Sequence, residues 1–139
     1  MEKLLDHRIE EFKSAVKNFE NSFDIDTSSF SEIVRDTLDS GRIQKFEFSA
    51  ELLLKTIKRF LLEKDGVESV SPKSSQKSFF ENRYCSYEAY ESLIRMIDDR
   101  NSLSHIYKSS MALEITKRFQ EYLKIMHDLV TVLEKHKNI

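Results

Sequence analysis

Leu4-Leu5-Asp6-His7-Arg8-Ile9-Glu10-Glu11-Phe12-Lys13-Ser14-Ala15-Val16-Lys17-Asn18-Phe19-Glu20-Asn21-Ser22-Phe23 places an apolar side chain at alternating steps of four and three. Leu5, Ile9, Phe12, Val16, Phe19 and Phe23 therefore share one stripe of an α-helix over about five turns. The same alternation recurs through Ile43, Phe46, Ala50, Leu53, Ile57 and Phe60, where Leu54 and Leu61 widen the stripe enough to meet two neighbours. It returns through Ile115, Phe119, Tyr122, Met126, Leu129 and Leu133. Such helices bury their stripes best against one another in an antiparallel bundle.

The intervening residues supply the punctuation. Asp26-Thr27-Ser28-Ser29 breaks the first pattern, and Ser29 with Glu32 reads as a capping box for a helix carrying Phe30, Ile33, Val34 and Leu38. Gly41 either ends or kinks that helix, and the long stripe from Ile43 reaches about Lys64. Asp65 to Val70 is a loop, and Ser71-Pro72 is an N-cap followed by proline at the first helical position of a short helix through Phe79-Phe80. Ser86 caps a further helix with Tyr87, Tyr90, Ile94 and Ile97 as its stripe, and the last helix starts at about Ser110. The expected fold is all-α: an up-and-down antiparallel four-helix bundle with one or two short extra helices, in a single domain spanning residues 1–139.

Composition agrees. With 40% hydrophobic and 33% charged residues the 139-residue chain is of ordinary globular make-up, and two glycines and one proline leave little turn chemistry for a sheet protein. A net charge of −2 gives no global attraction to nucleic acid, so any contact with phosphate must come from a local patch. Charges interrupt every apolar run well before the roughly 18 residues of a membrane span. The single cysteine, Cys85, cannot form an internal disulfide, and no charged-then-apolar leader opens the sequence, so a reducing cytoplasmic setting is expected. His7, His127 and His136 are scattered and show no zinc-like spacing with Cys85, so neither a metal nor another cofactor is expected.

Chemistry concentrates in Asp98-Asp99-Arg100-Asn101-Ser102-Leu103-Ser104-His105-Ile106-Tyr107. An always-charged guanidinium, an imidazole and a phenol within eight positions can bind phosphate and move protons. On a continuous helix Arg100 and His105 lie about 140° apart, so two ridges, a distorted helix or two chains must bring them together. Asn101 and His105 share a face, and Arg100, Ser104 and Tyr107 share another. Arg100 can clamp a phosphate while His105 takes a proton from a ribose hydroxyl and returns it to the leaving oxygen, which is metal-independent ribonuclease chemistry. The plainer alternatives stand beside this one: helix-terminal basic residues complement the macrodipole, Asp98 or Asp99 pairs with Arg100 or Arg95, and Tyr107 is a core-edge tyrosine. Glu47, Glu51 and Lys55 read first as a solvated ridge with a Glu51–Lys55 pair, and Phe46, Phe48, Phe79 and Phe80 as core rather than a base-stacking platform.

Taken whole, Arg100 to Tyr107 resembles the R-x4-H-x-Y signature of HEPN domains, specifically the nucleotidyltransferase substrate-binding family. Ile43-Gln44-Lys45-Phe46-Glu47-Phe48 with Glu51-Leu52 and Lys55 is similar to that family's second helix, and Ser71-Pro72-Lys73 to the start of its third. Two departures are visible: no tryptophan stands near Leu53 and Leu54, and Gly66 to Val70 is longer than usual.

The resemblance implies a helical homodimer that works with a minimal nucleotidyltransferase encoded nearby. On one reading it is the nucleotide- or substrate-binding subunit of that two-component system, with Arg100, Asn101 and His105 holding nucleotide or phosphate. On the other it is a metal-independent ribonuclease toxin with Arg100 and His105 as its catalytic pair. The transferase antitoxin then neutralises it by adenylylating Tyr107, and the ligand is RNA. The family pattern further places Glu47 near a dimer or transferase interface, without a catalytic role.

Overall fold

The computed structural model describes residues 4–104 and 110–138. Among them the chain is helical without strands: α1 (Leu4–Asn21), a 3-10 turn (Ser22–Asp24), α2 (Glu32–Asp65), α3 (Pro72–Glu81), α4 (Tyr87–Leu103), α5 (Ser110–Thr116) and α6 (Phe119–His136). α1, α2, α4 and α6 are the four long helices of the expected bundle, and α3 and α5 the short extras.

Cross-helix contacts give the directions. The Ser49 hydroxyl of α2 donates to the Ala15 carbonyl of α1 at 3.1 Å, and that of Thr56 lies 3.2 Å from the Arg8 carbonyl, so α1 and α2 are antiparallel. Glu20 with His127 (3.0 Å) and Lys13 with Glu134 (3.5 Å) run α6 antiparallel to α1. α4 opposes α2: Tyr84, just before α4, bonds Asp65 at the end of α2, whereas Arg100 reaches back to Glu51. The core fills the space between these helices, with Phe46 stacked on Phe119 at 4.6 Å and on Tyr122 at 5.6 Å, all fully buried. Truncating such a phenylalanine costs about 3–5 kcal/mol, so this aromatic stack carries much of the fold's stability.

Several caps match the sequence reading. The Ser71 hydroxyl accepts from Ser74 N–H at 3.1 Å in a capping box with Pro72 in the first turn, and Ser86 accepts from Ala89 N–H at 3.1 Å. α2 stops at Gly66, whose φ of +65° is the left-handed conformation that lets Gly66 N–H and Val67 N–H close on the Leu62 and Leu61 carbonyls.

Other expectations are corrected. Ser31 rather than Ser29 caps α2, accepting from Val34 N–H at 3.4 Å, because Asp26 draws the preceding residues into its own turn through Ser28 N–H. α2 runs through Gly41 without ending. Its first turns lie beyond α1, whose C-terminal end meets Arg42 through a 2.8 Å bond to the Ser22 carbonyl, so Phe30, Ile33 and Val34 are exposed rather than core. At about 51 Å α2 simply outruns the roughly 27 Å of α1.

In α4 the buried stripe is Leu93, Met96, Ile97 and Leu103. Tyr87 is exposed, and with Tyr90 it packs against Phe80 of α3 at the surface. Phe48 is likewise exposed, whereas Phe46 and Phe79 are core. The expected last helix divides into α5 and α6 at Lys117-Arg118, although its stripe from Ile115 to Leu133 stays buried.

Candidate functional site

α4 is described from Tyr87 to Leu103, with Ser104 as its C-cap. His105 and Tyr107 lie outside the described residues. Arg100 sits in the last turn of α4, where a cation complements the macrodipole, and Asn101 beside it is exposed.

The partners of the motif's charges differ from those expected. Asp99, not paired with Arg100 or Arg95, is buried and accepts two hydrogen bonds from Arg118, at 2.8 Å from Nε and 2.9 Å from Nη2. The Tyr122 hydroxyl donates to the same carboxylate at 2.5 Å. Burial and this bond push the Tyr122 phenol up to about 12, keeping it a donor. The bonds to Asp99 hold the Arg118 guanidinium firmly charged. Arg95 donates from Nε to the Tyr122 oxygen at 3.2 Å and pairs with Glu121, which also accepts from Ser92. This network ties the end of α4 to the start of α6, and the break between α5 and α6 falls at the residue it captures. Asp98 faces the other way, paired with Lys73 at 2.7 Å.

Among the described residues Arg100 is loosely held. Its side chain is 28% exposed, and Nη2 lies 3.4 Å from Oε2 of Glu51. Nε is buried with no hydrogen-bond partner among the described residues. The other oxygen of Glu51, Oε1, is 3.4 Å from Lys55 Nζ, so the expected Glu51–Lys55 pair forms but its ridge faces the motif instead of solvent alone. Glu47, one turn earlier, is close enough to feel Arg100. Burial raises its pKa above the ordinary glutamate value, and the guanidinium pulls it partly back.

Sequence reasoning missed Arg118 and Tyr122 as the anchors of α4, and Glu51 as the partner of Arg100. A signal existed for the first: Met96, Asp99 and Leu103 are spaced by three and four, placing an acid within an apolar stripe. Elsewhere, burial lifts the half-buried Cys85 thiol to about 11, which leaves it a poor nucleophile. Among the described residues no three His, Cys, Asp or Glu side chains converge to hold a metal ion, and no helix is long and apolar enough to cross a membrane.

A family model described as nucleotidyltransferase substrate binding protein like matches residues 7–135. A comparison with curated proteins found no match. Among solved structures, a protein of Thermus thermophilus is 26% identical with a TM-score of 0.75, over 88% of this chain and 98% of that one. A tri-AMPylated Shewanella oneidensis HEPN toxin in complex with an MNT antitoxin superposes with a TM-score of 0.79 at 17% identity, over 98% of this chain and all of the other. A toxin–antitoxin structure with AMP-PNP gives 0.76 at 16% identity, over 96% and 99%. At such identity the last two likenesses establish a shared helical fold and no more.

Proposed function

This chain belongs to the nucleotidyltransferase substrate binding protein-like family, and we propose that it is the helical nucleotide- or substrate-binding subunit of a two-component minimal nucleotidyltransferase system. The observation that carries this reading is Arg100: a guanidinium at the end of a core helix, loosely paired among the described residues, with a buried Nε that none of them satisfies. Arg118, which holds the fold, closes two hydrogen bonds on one carboxylate, whereas the more open guanidinium of Arg100 suits a phosphate. Asn101, exposed on the same turn, and His105 complete the proposed phosphate-binding set, and a second copy of the chain is proposed to supply the facing half of the site.

A second reading is favoured by one specific finding. The Shewanella protein whose fold spans nearly this whole chain is a toxin, AMPylated and in complex with its MNT antitoxin. On that reading Arg100 and His105 form the catalytic pair of a metal-independent ribonuclease. His105 is the base for the 2′-hydroxyl and then the acid for the leaving oxygen, and Tyr107 is the residue the transferase modifies.

One experiment separates the two. The chain is expressed alone and with the neighbouring nucleotidyltransferase and ATP, as native protein, His105→Ala and Tyr107→Phe, with growth and intact mass recorded. A stable complex without toxicity or adduct supports the binding subunit. Growth arrest relieved by His105→Ala, with AMP adducts lost in Tyr107→Phe, supports the toxin. Failure to associate with the transferase, together with no toxicity, rejects both.

A further inference from the structure

We propose that Glu51 is a displaceable counter-charge on Arg100, holding the guanidinium in the empty protein and transferring to Lys55 when a phosphate oxygen takes its place. The inference rests on the reading of Arg100 as a phosphate-binding residue.

The two oxygens of Glu51 are divided between two cations, Oε2 toward Arg100 Nη2 and Oε1 toward Lys55 Nζ, each at 3.4 Å. Charge-assisted hydrogen bonds close to about 2.7–2.9 Å. The same helix end shows that closure in Asp99 and Arg118, at 2.8 Å and 2.9 Å. Neither pair of Glu51 reaches it. Its side chain is 46% exposed, so releasing one cation for the other takes a rotamer change at the surface rather than a rearrangement of the core. Lys55 lies one turn along the same helix and remains within reach whatever α4 does.

The charge count gives the arrangement a consequence. Glu47 and Glu51 offset Arg100 and Lys55, and Arg100 stands at the negative end of the α4 macrodipole. Among the described residues the empty site therefore has no excess positive charge, unlike an anion trap built on a helix N-terminus. A phosphate must displace Glu51 to bind, and its gain includes the donor that Glu51 leaves unpaired. Drawing the guanidinium toward a bound anion gives the buried Nε an acceptor or access to water. Glu51 thus sets the threshold that a phosphate ligand must exceed.

The test uses the full chain and two probes, ATP followed by calorimetry and a short labelled single-stranded RNA followed by fluorescence anisotropy, which separate a free nucleotide from a polynucleotide as the source of the phosphate. Wild type, Glu51→Gln, Arg100→Ala and the double variant are compared, with folding checked by circular dichroism. Glu51→Gln is expected to tighten binding about two- to fivefold, the scale of an exposed ion pair, and the gain is expected to vanish in the Arg100→Ala background. Arg100-dependent binding that Glu51→Gln leaves unchanged or weakens overturns the counter-charge alone. So does a gain that persists without Arg100. No binding of either probe, or binding untouched by Arg100→Ala, overturns the phosphate site itself and this inference with it.

Discussion

Asp99 and Arg100 are neighbours in one helical turn with opposite electrostatic fates. Asp99 is 7% exposed and its carboxylate is saturated by Arg118 and Tyr122, three hydrogen bonds of 2.9 Å or less. Arg100 is more exposed, and among the described residues it meets one carboxylate at 3.4 Å and its Nε has no partner. A charge buried for the fold must be fully paired, since desolvation without partners costs more than the fold's margin allows. A charge kept for a ligand is left short of partners. The difference fits Asp99 to holding the end of α4 in place and, on the proposed reading, Arg100 to binding a ligand there.

The comparison breaks most visibly at Asp99. Asp99→Ala strips acceptors from the Arg118 fork and the Tyr122 hydroxyl together, and is expected to cost about 2–4 kcal/mol in chemical denaturation, discounted for the partial exposure of Arg118. A loss below about 0.5 kcal/mol would mean that the network is not what anchors α4. Tyr122→Phe removes one bond and keeps the ring in its stack, so about 1 kcal/mol is expected. It also changes the alkaline behaviour. Burial and the Asp99 bond push the folded-state phenol from 10.0 up to about 12, so its contribution is complete below about pH 10 and is lost as pH rises toward 12. Stability measured across that window should fall less steeply in Tyr122→Phe than in the native chain.

How far the sequence carried this picture follows from the range of the forces involved. The stripes of α1, the second half of α2 and α6 were legible because amphipathic period and capping are local, and Ser71 and Ser86 cap where expected. The exposure of Phe30, Ile33 and Val34 was not, because it depends on where α1 stops alongside α2. Asp99 was legible as an acid in the motif, yet its partners stand 19 and 23 residues away on α6 and at its cap. Sequence alone marked Arg100 as a candidate functional residue, together with Asn101, His105 and Tyr107. That Glu51 faces it required the register between α2 and α4.

Gln76 sharpens the comparison from outside the motif. It is fully buried in α3, and neither its amide nitrogen nor its amide oxygen has a hydrogen-bond partner among the described residues. If lack of partners alone marked function, this neutral amide would rank with Arg100, although it carries no charge for a ligand to meet. Gln76→Leu, of similar volume, is therefore expected to stabilise the chain by about 1 kcal/mol and to leave phosphate binding as it was, because it removes desolvated polar atoms that nothing repays.

Arg100→Met gives the smallest change in stability. Methionine keeps much of the apolar stem while deleting the head and the Nε donor that has no partner among the described residues, and Glu51 retains Lys55. The expected change near neutral pH is within about 0.5 kcal/mol. The sign depends on pH through Glu47, whose folded-state pKa is already raised by burial and loses the cation that restrains it. A raised carboxyl contributes stability that is present below its unfolded pKa and is lost as pH rises through the folded value. Raising it further extends that loss to higher pH, so the Arg100→Met chain should compare most favourably with wild type in acid and lose ground as the pH climbs past the carboxylate range. A flat difference between the two stability profiles would mean that Arg100 and Glu47 do not share a field. A large loss at every pH would mean that the guanidinium holds the fold as Asp99 does, and the contrast between the two neighbours would then collapse.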